Sequence, residues 1–185
     1  MSRHGKNRLT LLYSRDQIAK RVREMAAAID TDYAGAELVL VGVLRGAFVF
    51  LADLVRNLTL PVVIDFIGAS SYGDRTETSG RVRITKNLQV SITGRDVLLV
   101  EDIEDTGLTL QFVLDALRRE EPRSIRVCTL IDKRERRAAN LRVDYVGFDM
   151  GAGFIVGYGI DYAENYRQLP DIYRIEGPEG GHGES

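Results

Sequence analysis

The stretch Val97-Leu98-Leu99-Val100-Glu101-Asp102-Ile103-Glu104-Asp105-Thr106-Gly107-Leu108-Thr109 limits what this chain can fold into more than any other. Its first four residues are aliphatic without a polar break, which suits a strand buried on both faces of a parallel sheet. Just beyond it, Leu110, Val113, Leu114 and Leu117 recur at i, i+3, i+4 and i+7 and mark one apolar helix face. Buried strand, short polar turn with a glycine, then helix is the repeating unit of an open α/β sheet. Residues 38–44 repeat the unit: an apolar strand, the turn Arg45-Gly46, then a helix pattern on Phe48, Leu51, Ala52 and Val55. Residues 61–67, 124–131 and 143–147 supply further strand candidates. Ahead of them, Ser14-Arg15-Asp16-Gln17 has the form of a capping box, and Ile18, Val22, Met25, Ala26 and Ile29 line one face of the helix it opens. The expected fold is therefore α/β, an open, mainly parallel twisted sheet flanked by helices, with ligands met at the carboxyl ends of its strands.

The turn after Val100 has chemical character of its own. Backbone N–H groups at a helix start are unpaired and partly positive, and Gly107 lets an anion approach them closely. Thr106 and Thr109 add hydroxyl donors. Four acids, Glu101, Asp102, Glu104 and Asp105, fall within five positions just before. Carboxylates repel a phosphate, but they can hold ribose hydroxyls or Mg²⁺, which prefers oxygen ligands and reaches substrate phosphates. The local chemistry is that of a sugar-phosphate site with a divalent cation; the plainer alternative is a βα turn with a threonine N-cap and solvated acids. Arg45-Gly46 makes a second candidate anion site. Residues 69–81 carry no apolar period and read as a loop or an extended hairpin.

Composition removes several classes. With 25 basic and 27 acidic residues mixed along 185, no concentrated positive charge points to nucleic acid. The two histidines, His4 and His182, stand near opposite ends of the chain, so neither a histidine metal site nor a Ser-His-Asp triad is on offer unless a partner chain supplies it. The single cysteine, Cys128, lies in a strand candidate and reads as a small hydrophobe. No signal peptide is visible and no run approaches the ~20 apolar residues of a membrane span, which makes a cytoplasmic protein the expectation. Gly151-Ala152-Gly153-Phe154-Ile155-Val156-Gly157 has the look of a dinucleotide loop, but no long amphipathic helix follows it. Asp105-Thr106-Gly107 has the triplet of an aspartic protease, yet Glu104 precedes it and the chain is rich in helices. Residues 1–8 and 177–185 read as a loose N-terminus and a disordered tail around one domain over 9–176.

Val100 to Thr109 resembles the phosphoribosyl-diphosphate (PRPP) motif of the type I phosphoribosyltransferases, and the rest of the chain, from about residue 10 to about 175, resembles their hypoxanthine-guanine branch. The resemblance implies that family's fold, with a small hood over the site built from the late segment. It implies transfer of a 5-phosphoribosyl group from PRPP to N9 of hypoxanthine or guanine, giving IMP or GMP and pyrophosphate, with Mg²⁺ as cofactor and a homodimer or homotetramer as the assembly. Residue by residue, Glu101, Asp102, Asp105, Thr106, Gly107, Leu108 and Thr109 would hold the ribose and 5′-phosphate. Arg45, Gly46 and Arg167 would meet pyrophosphate, with a cis bond between Leu44 and Arg45. Lys133, Phe154, Ile155 and Asp161 would meet the purine; Glu101, Asp102 and Asp161 would hold the metal; Asp105 would be the general base. Ser71-Tyr72 would belong to a mobile flap over about residues 69–81. Two positions depart from the family pattern: Glu104, where many members carry an aliphatic residue, and Leu108, at a variable position. A non-catalytic nucleotide-binding protein of the same fold is one alternative, against which the presence of Asp105, Lys133 and Asp161 argues, and a phosphoribosyltransferase for another base, such as xanthine or a pyrimidine, is another.

Overall fold

The structure is a computed structural model and describes residues 8–72, 81–134 and 141–176. Its elements follow in the order β1 (Arg8–Tyr13), α1 (Arg15–Asp32), β2 (Leu38–Leu44), α2 (Phe48–Val55), β3 (Val62–Tyr72), β4 (Arg81–Lys86), β5 (Asp96–Glu104), α3 (Leu108–Arg118), β6 (Ser124–Asp132), β7 (Tyr145–Asp149), β8 (Phe154–Val156) and β9 (Ile172–Glu176). A six-stranded sheet has the order β4-β3-β2-β5-β6-β7, all parallel except for β4, which closes the β3 edge antiparallel.

The continuous apolar runs account for this sheet. Successive side chains of a strand point to opposite faces. Leu38 and Leu40 accordingly pack with Ile18, Val22, Met25, Ala26 and Ile29 of α1 and with Phe50, Leu51 and Leu54 of α2. Val39 and Val41 pack on the other face with Leu110, Val113, Leu114 and Leu117 of α3. Each such side chain contributes ~1.5–3 kcal/mol when fully buried. Neither face is left for water, so a polar substitution at any of these strand positions has no face to turn to.

Strand order also places the site. From β2 the chain moves outward through α2 to β3; it then returns to the other side of β2 as β5 and continues outward to β6 and β7. The connections after β2 and β5 therefore leave in opposite directions, and a crevice opens between their carboxyl ends, the switch point where open α/β sheets take their ligands. Arg45-Gly46 and Glu101 to Thr109 flank it.

Four expectations are corrected. The strand after Asp96 does not stop at Val100; β5 pairs with β6 as far as Glu104↔Asp132, so the first three acids lie on the strand and not in the turn. Helix α2 buries Phe50, Leu51 and Leu54, whereas Phe48 and Ala52 are exposed. In so apolar a helix periodicity cannot select the face; buried Ala47, next to Gly46, sets the phase. Asp132 is buried beside Arg134 rather than solvated within its charge run. The hood is a three-stranded antiparallel sheet, β1-β9-β8, so the N-terminal strand belongs to it as well as the late segment.

The hood is tied down at two points. Tyr13 stacks on Phe148 of β7 with ring centroids 4.1 Å apart, and Asp171 accepts from the backbone N–H of Arg15 at 2.7 Å. Residues 69–72 and 81–86 form the legs of a hairpin. Ser71 and Tyr72 end β3, and the flap expected around them continues through residues 73–80, outside the described residues. The same holds for residues 1–7 and for the tail 177–185. Among the described residues no helix is long and apolar enough to cross a membrane.

Candidate active site

Three segments are layered at the switch point. The Leu44–Arg45 peptide is cis, and Gly46 follows with its Cα hard against β5. A Cβ at Gly46 would stand 2.0 Å from Asp102 Oδ2, so only glycine lets this turn lie on the carboxylate. Above it, a Cβ at Gly159 would stand 2.5 Å from the carbonyl oxygen of Gly46. The hood-side segment is thus packed on the β2 turn, which is packed on the β5 acids.

Helix α3 starts at Gly107, whose φ of +83° is left-handed and which offers no side-chain cap. The N–H groups of its first turn face a small polar pocket of about 110 Å³ lined by Glu101, Ile103, Glu104, Asp105, Thr106, Gly107, Thr109 and Leu110. An uncapped helix start opening into a polar pocket is a ready anion site. The N-cap is therefore glycine, not threonine.

Glu101 lines this pocket, and Asp102 beside it in β5 lies under Gly46. Burial and then the charge of Asp102 push the Glu101 carboxyl well above its usual range. Burial raises Asp102 as well, against hydrogen bonds and the positive charge of Arg167, which pull the other way. Burial disfavours the charge on both carboxylates, and Asp102 adds to it at Glu101; a divalent cation is a partner that would relieve both. Among the described residues no group of three or more His, Cys, Asp or Glu stands close enough to hold a metal alone. Mg²⁺ is commonly held by one or two carboxylates and completed by substrate oxygens and water, and Glu101 with Asp102 is a pair of that kind.

The purine end gathers on β6 and the hood. Lys133 follows β6 directly and is only 3 % exposed. Its Nζ donates to Asp105 Oδ2 at 3.3 Å and to the Gly153 carbonyl at 2.8 Å, while its backbone N–H donates to the Glu104 carbonyl at 2.8 Å. Asp105 and Lys133 are thus an ion pair held between β5, β6 and the hood. Phe154, expected at the purine, is 64 % exposed rather than part of the core, with Tyr162 edge-on to it at 6.2 Å. Ile155 has the opposite disposition: its side chain is buried and its backbone pairs with Arg174 in the hood.

Arg167 bridges the remaining parts. It donates to the Gly159 carbonyl at 2.8 Å and to Asp161 Oδ1 at 2.7 Å. Arg45, across the crevice, pairs with Glu164, a residue to which the sequence drew no attention. The Gly153 and Gly159 carbonyls were also missed as acceptors. Their only local signal is glycine, and their partners lie elsewhere in the chain.

Known proteins share this arrangement. A family model described as the phosphoribosyl transferase domain matches residues 10–163. The hypoxanthine-guanine phosphoribosyltransferase of Aquifex aeolicus is 44 % identical over 170 residues, 91 % of this chain and 96 % of that protein. The hypoxanthine phosphoribosyltransferase of Haemophilus influenzae is 46 % identical over 92 % of this chain and 97 % of that protein. A crystal structure of a hypoxanthine-guanine phosphoribosyltransferase from Bacillus anthracis superposes with a TM-score of 0.87 at 49 % identity, covering 90 % of this chain and 98 % of that one. Motif, switch-point geometry and relatives agree from one end of the domain to the other, and the chain belongs to the phosphoribosyltransferase family.

Proposed function

We propose that the protein is a hypoxanthine or hypoxanthine-guanine phosphoribosyltransferase of purine salvage, moving the 5-phosphoribosyl group of PRPP to N9 of the base and releasing pyrophosphate. The observation that carries this reading is the pair of buried Lys133 with half-buried Asp105 beside exposed Phe154, facing an uncapped helix start across one crevice.

Each part has a task. The α3 start, with Thr106 and Thr109, holds the 5′-phosphate, and Glu101 and Asp102 hold the ribose hydroxyls. Arg45, Gly46 and Arg167 receive the pyrophosphate through charge-assisted contacts. Mg²⁺ held at Glu101 and Asp102, with Asp161 on the hood side, would neutralise charge on the leaving pyrophosphate. As the bond from C1′ to the pyrophosphate oxygen breaks and the N9–C1′ bond forms, positive charge grows on the ribose ring. The purine must lose a proton to keep the balance, and Asp105, near N7, takes it. Lys133 donates to the 6-oxo group, stacked beneath the ring of Phe154. Adenine presents a 6-amino donor there, so the ammonium, already donating to Asp105 and the Gly153 carbonyl, would face a donor where hypoxanthine offers an acceptor, which discriminates strongly.

The resemblance favours a homodimer or homotetramer. An apolar cleft of about 560 Å³ between α1, α2 and residues 167–170, with exposed Phe48 on its rim, gives such an assembly a surface to use.

The deciding experiment is nucleotide formation from PRPP and Mg²⁺ with hypoxanthine, guanine, xanthine, adenine and uracil offered separately. Turnover of hypoxanthine or guanine, abolished by chelator, is expected. Turnover of xanthine or uracil alone would keep the fold and overturn the roles of Lys133 and Phe154; PRPP binding with no turnover of any base would make this a binding protein.

A further inference from the structure

Glu164 stands between the two arginines given above to pyrophosphate. Its Oε1 accepts from Arg45 Nη2, and its Oε2 lies 3.6 Å from Arg167 Nη2. A turn of unusual backbone puts it there. Tyr162 and Asn165 exchange both backbone hydrogen bonds at 3.1 Å, and Ala163 and Glu164 between them have φ of +50° and +64°. Two successive positive φ values closing a two-residue loop define a type I′ turn, which favours Asn and Gly over Ala and Glu. The Glu164 N–H also donates to Asp161 Oδ2 at 2.9 Å, which fixes the direction of the turn. The result is a carboxylate aimed at two cations, one of them on the far side of the crevice and 119 residues away in sequence.

We propose that Glu164 is the internal counter-anion of the pyrophosphate subsite. Its carboxylate bridges Arg45 and Arg167 when the subsite is free and yields them when pyrophosphate enters, so pyrophosphate is held less tightly and leaves sooner. The balance of energies supports an exchange of this kind. The Arg45 and Glu164 side chains are 67 % and 60 % exposed, so the bridge is weak and easily opened. Pyrophosphate carries more charge than one carboxylate and can engage each guanidinium with two oxygens, so it wins the competition while still displacing Glu164. The inference rests on the assignment of Arg45 and Arg167 to pyrophosphate.

Calorimetric titration of Mg-pyrophosphate into the wild-type protein, Glu164→Gln, Glu164→Asp and Arg45→Ala tests both levels. Glu164→Gln is expected to bind pyrophosphate about two- to fivefold more tightly, the range of an exposed ion pair. Glu164→Asp keeps the charge on an arm too short to bridge, and it is expected to tighten binding like the Gln variant. In the reverse reaction from IMP, KM for pyrophosphate should fall by the same factor while KM for IMP stays constant. Unchanged or weaker pyrophosphate binding in Glu164→Gln would overturn the inference. So would wild-type affinity in Glu164→Asp, which would reduce the effect to net charge. Wild-type protein that binds no pyrophosphate, or Arg45→Ala that binds it as well as wild type, would remove the subsite assignment itself.

Discussion

Helices α1 and α3 begin in opposite ways. At α1, Ser14 accepts from the Gln17 N–H at 3.3 Å, while the Gln17 side chain accepts from the Ser14 N–H at 2.9 Å. Two of the donors a helix start leaves over are closed by the chain's own side chains. At α3, Gly107 has no side chain to give, and the first turn opens into the pocket beside Glu101 and Asp105. Helix α2 has no side-chain cap either, but its turn closes its first donors: the Ala47 N–H donates to the Val43 carbonyl at 3.3 Å and the Phe48 N–H to the Arg45 carbonyl at 3.4 Å. The starts of α1 and α2 are closed by the chain itself, whereas the start of α3 opens onto its polar pocket. Unsatisfied donors at a helix start thus distinguish a binding site from scaffold without reference to any relative.

The sharpest way to break this contrast uses one residue type at both starts. Asp16 lies in the first turn of α1, and Asp105 lies two residues before Gly107. Asp105→Asn is expected to lower kcat by ~10²–10⁴, the usual share of a general base, with PRPP affinity little changed. Asp16→Asn removes only a favourable charge from a helix start, worth ~0.3–1 kcal/mol of stability, and should leave kcat as it is. Steady-state kinetics with hypoxanthine compares the two directly. Wild-type turnover in Asp105→Asn would take the base role away from it.

The next effect belongs to the open start itself. Gly107→Asp places a carboxylate where the 5′-phosphate is expected, and aspartate tolerates left-handed backbone better than most residues. The KM for PRPP should rise by ~10² through loss of the cradle and like-charge repulsion, while thermal stability falls only slightly. An unchanged KM would mean that the phosphate is held elsewhere, and α3 would then be no more open in function than α1.

How much of this the sequence disclosed depended on how local the cause was. The α1 face and its capping box lie within a few residues of one another, and both appear as read. The central strands β2, β5 and β6 are buried on both sides, so unbroken apolar runs betray them. The edge strands β1 and β4, and β9 in the middle of the small hood sheet, have mixed patterns with no continuous buried run and went unread as strands. Gly46 was visible as a turn glycine, but the reason nothing larger fits, the Asp102 carboxylate, lies on another strand. Asp105 and Lys133 each stood out at a strand end, yet their ion pair joins β5 to β6 and exists only in three dimensions. Glu164 left no trace at all, since an ordinary-looking Tyr-Ala-Glu-Asn conceals a turn that carries its carboxylate to Arg45.

The smallest expected effect is the control that gives the contrast its meaning. Ser14→Ala removes the hydroxyl that receives the Gln17 N–H and leaves that donor to water at an exposed helix start. The loss should be ~1 kcal/mol, and for a chain of this size that lowers Tm by about 2–4 °C. Because the start of α1 lies outside the pocket of Glu101 and Asp105 and is joined to the hood through the Arg15–Asp171 link, kcat and both KM values should hold at their wild-type levels. Calorimetry and kinetics on the same preparation separate the outcomes. If Ser14→Ala instead raised the KM for PRPP, the capped start would be transmitting strain through Asp171 into the hood, and closed and open helix starts would not be independent parts of this molecule.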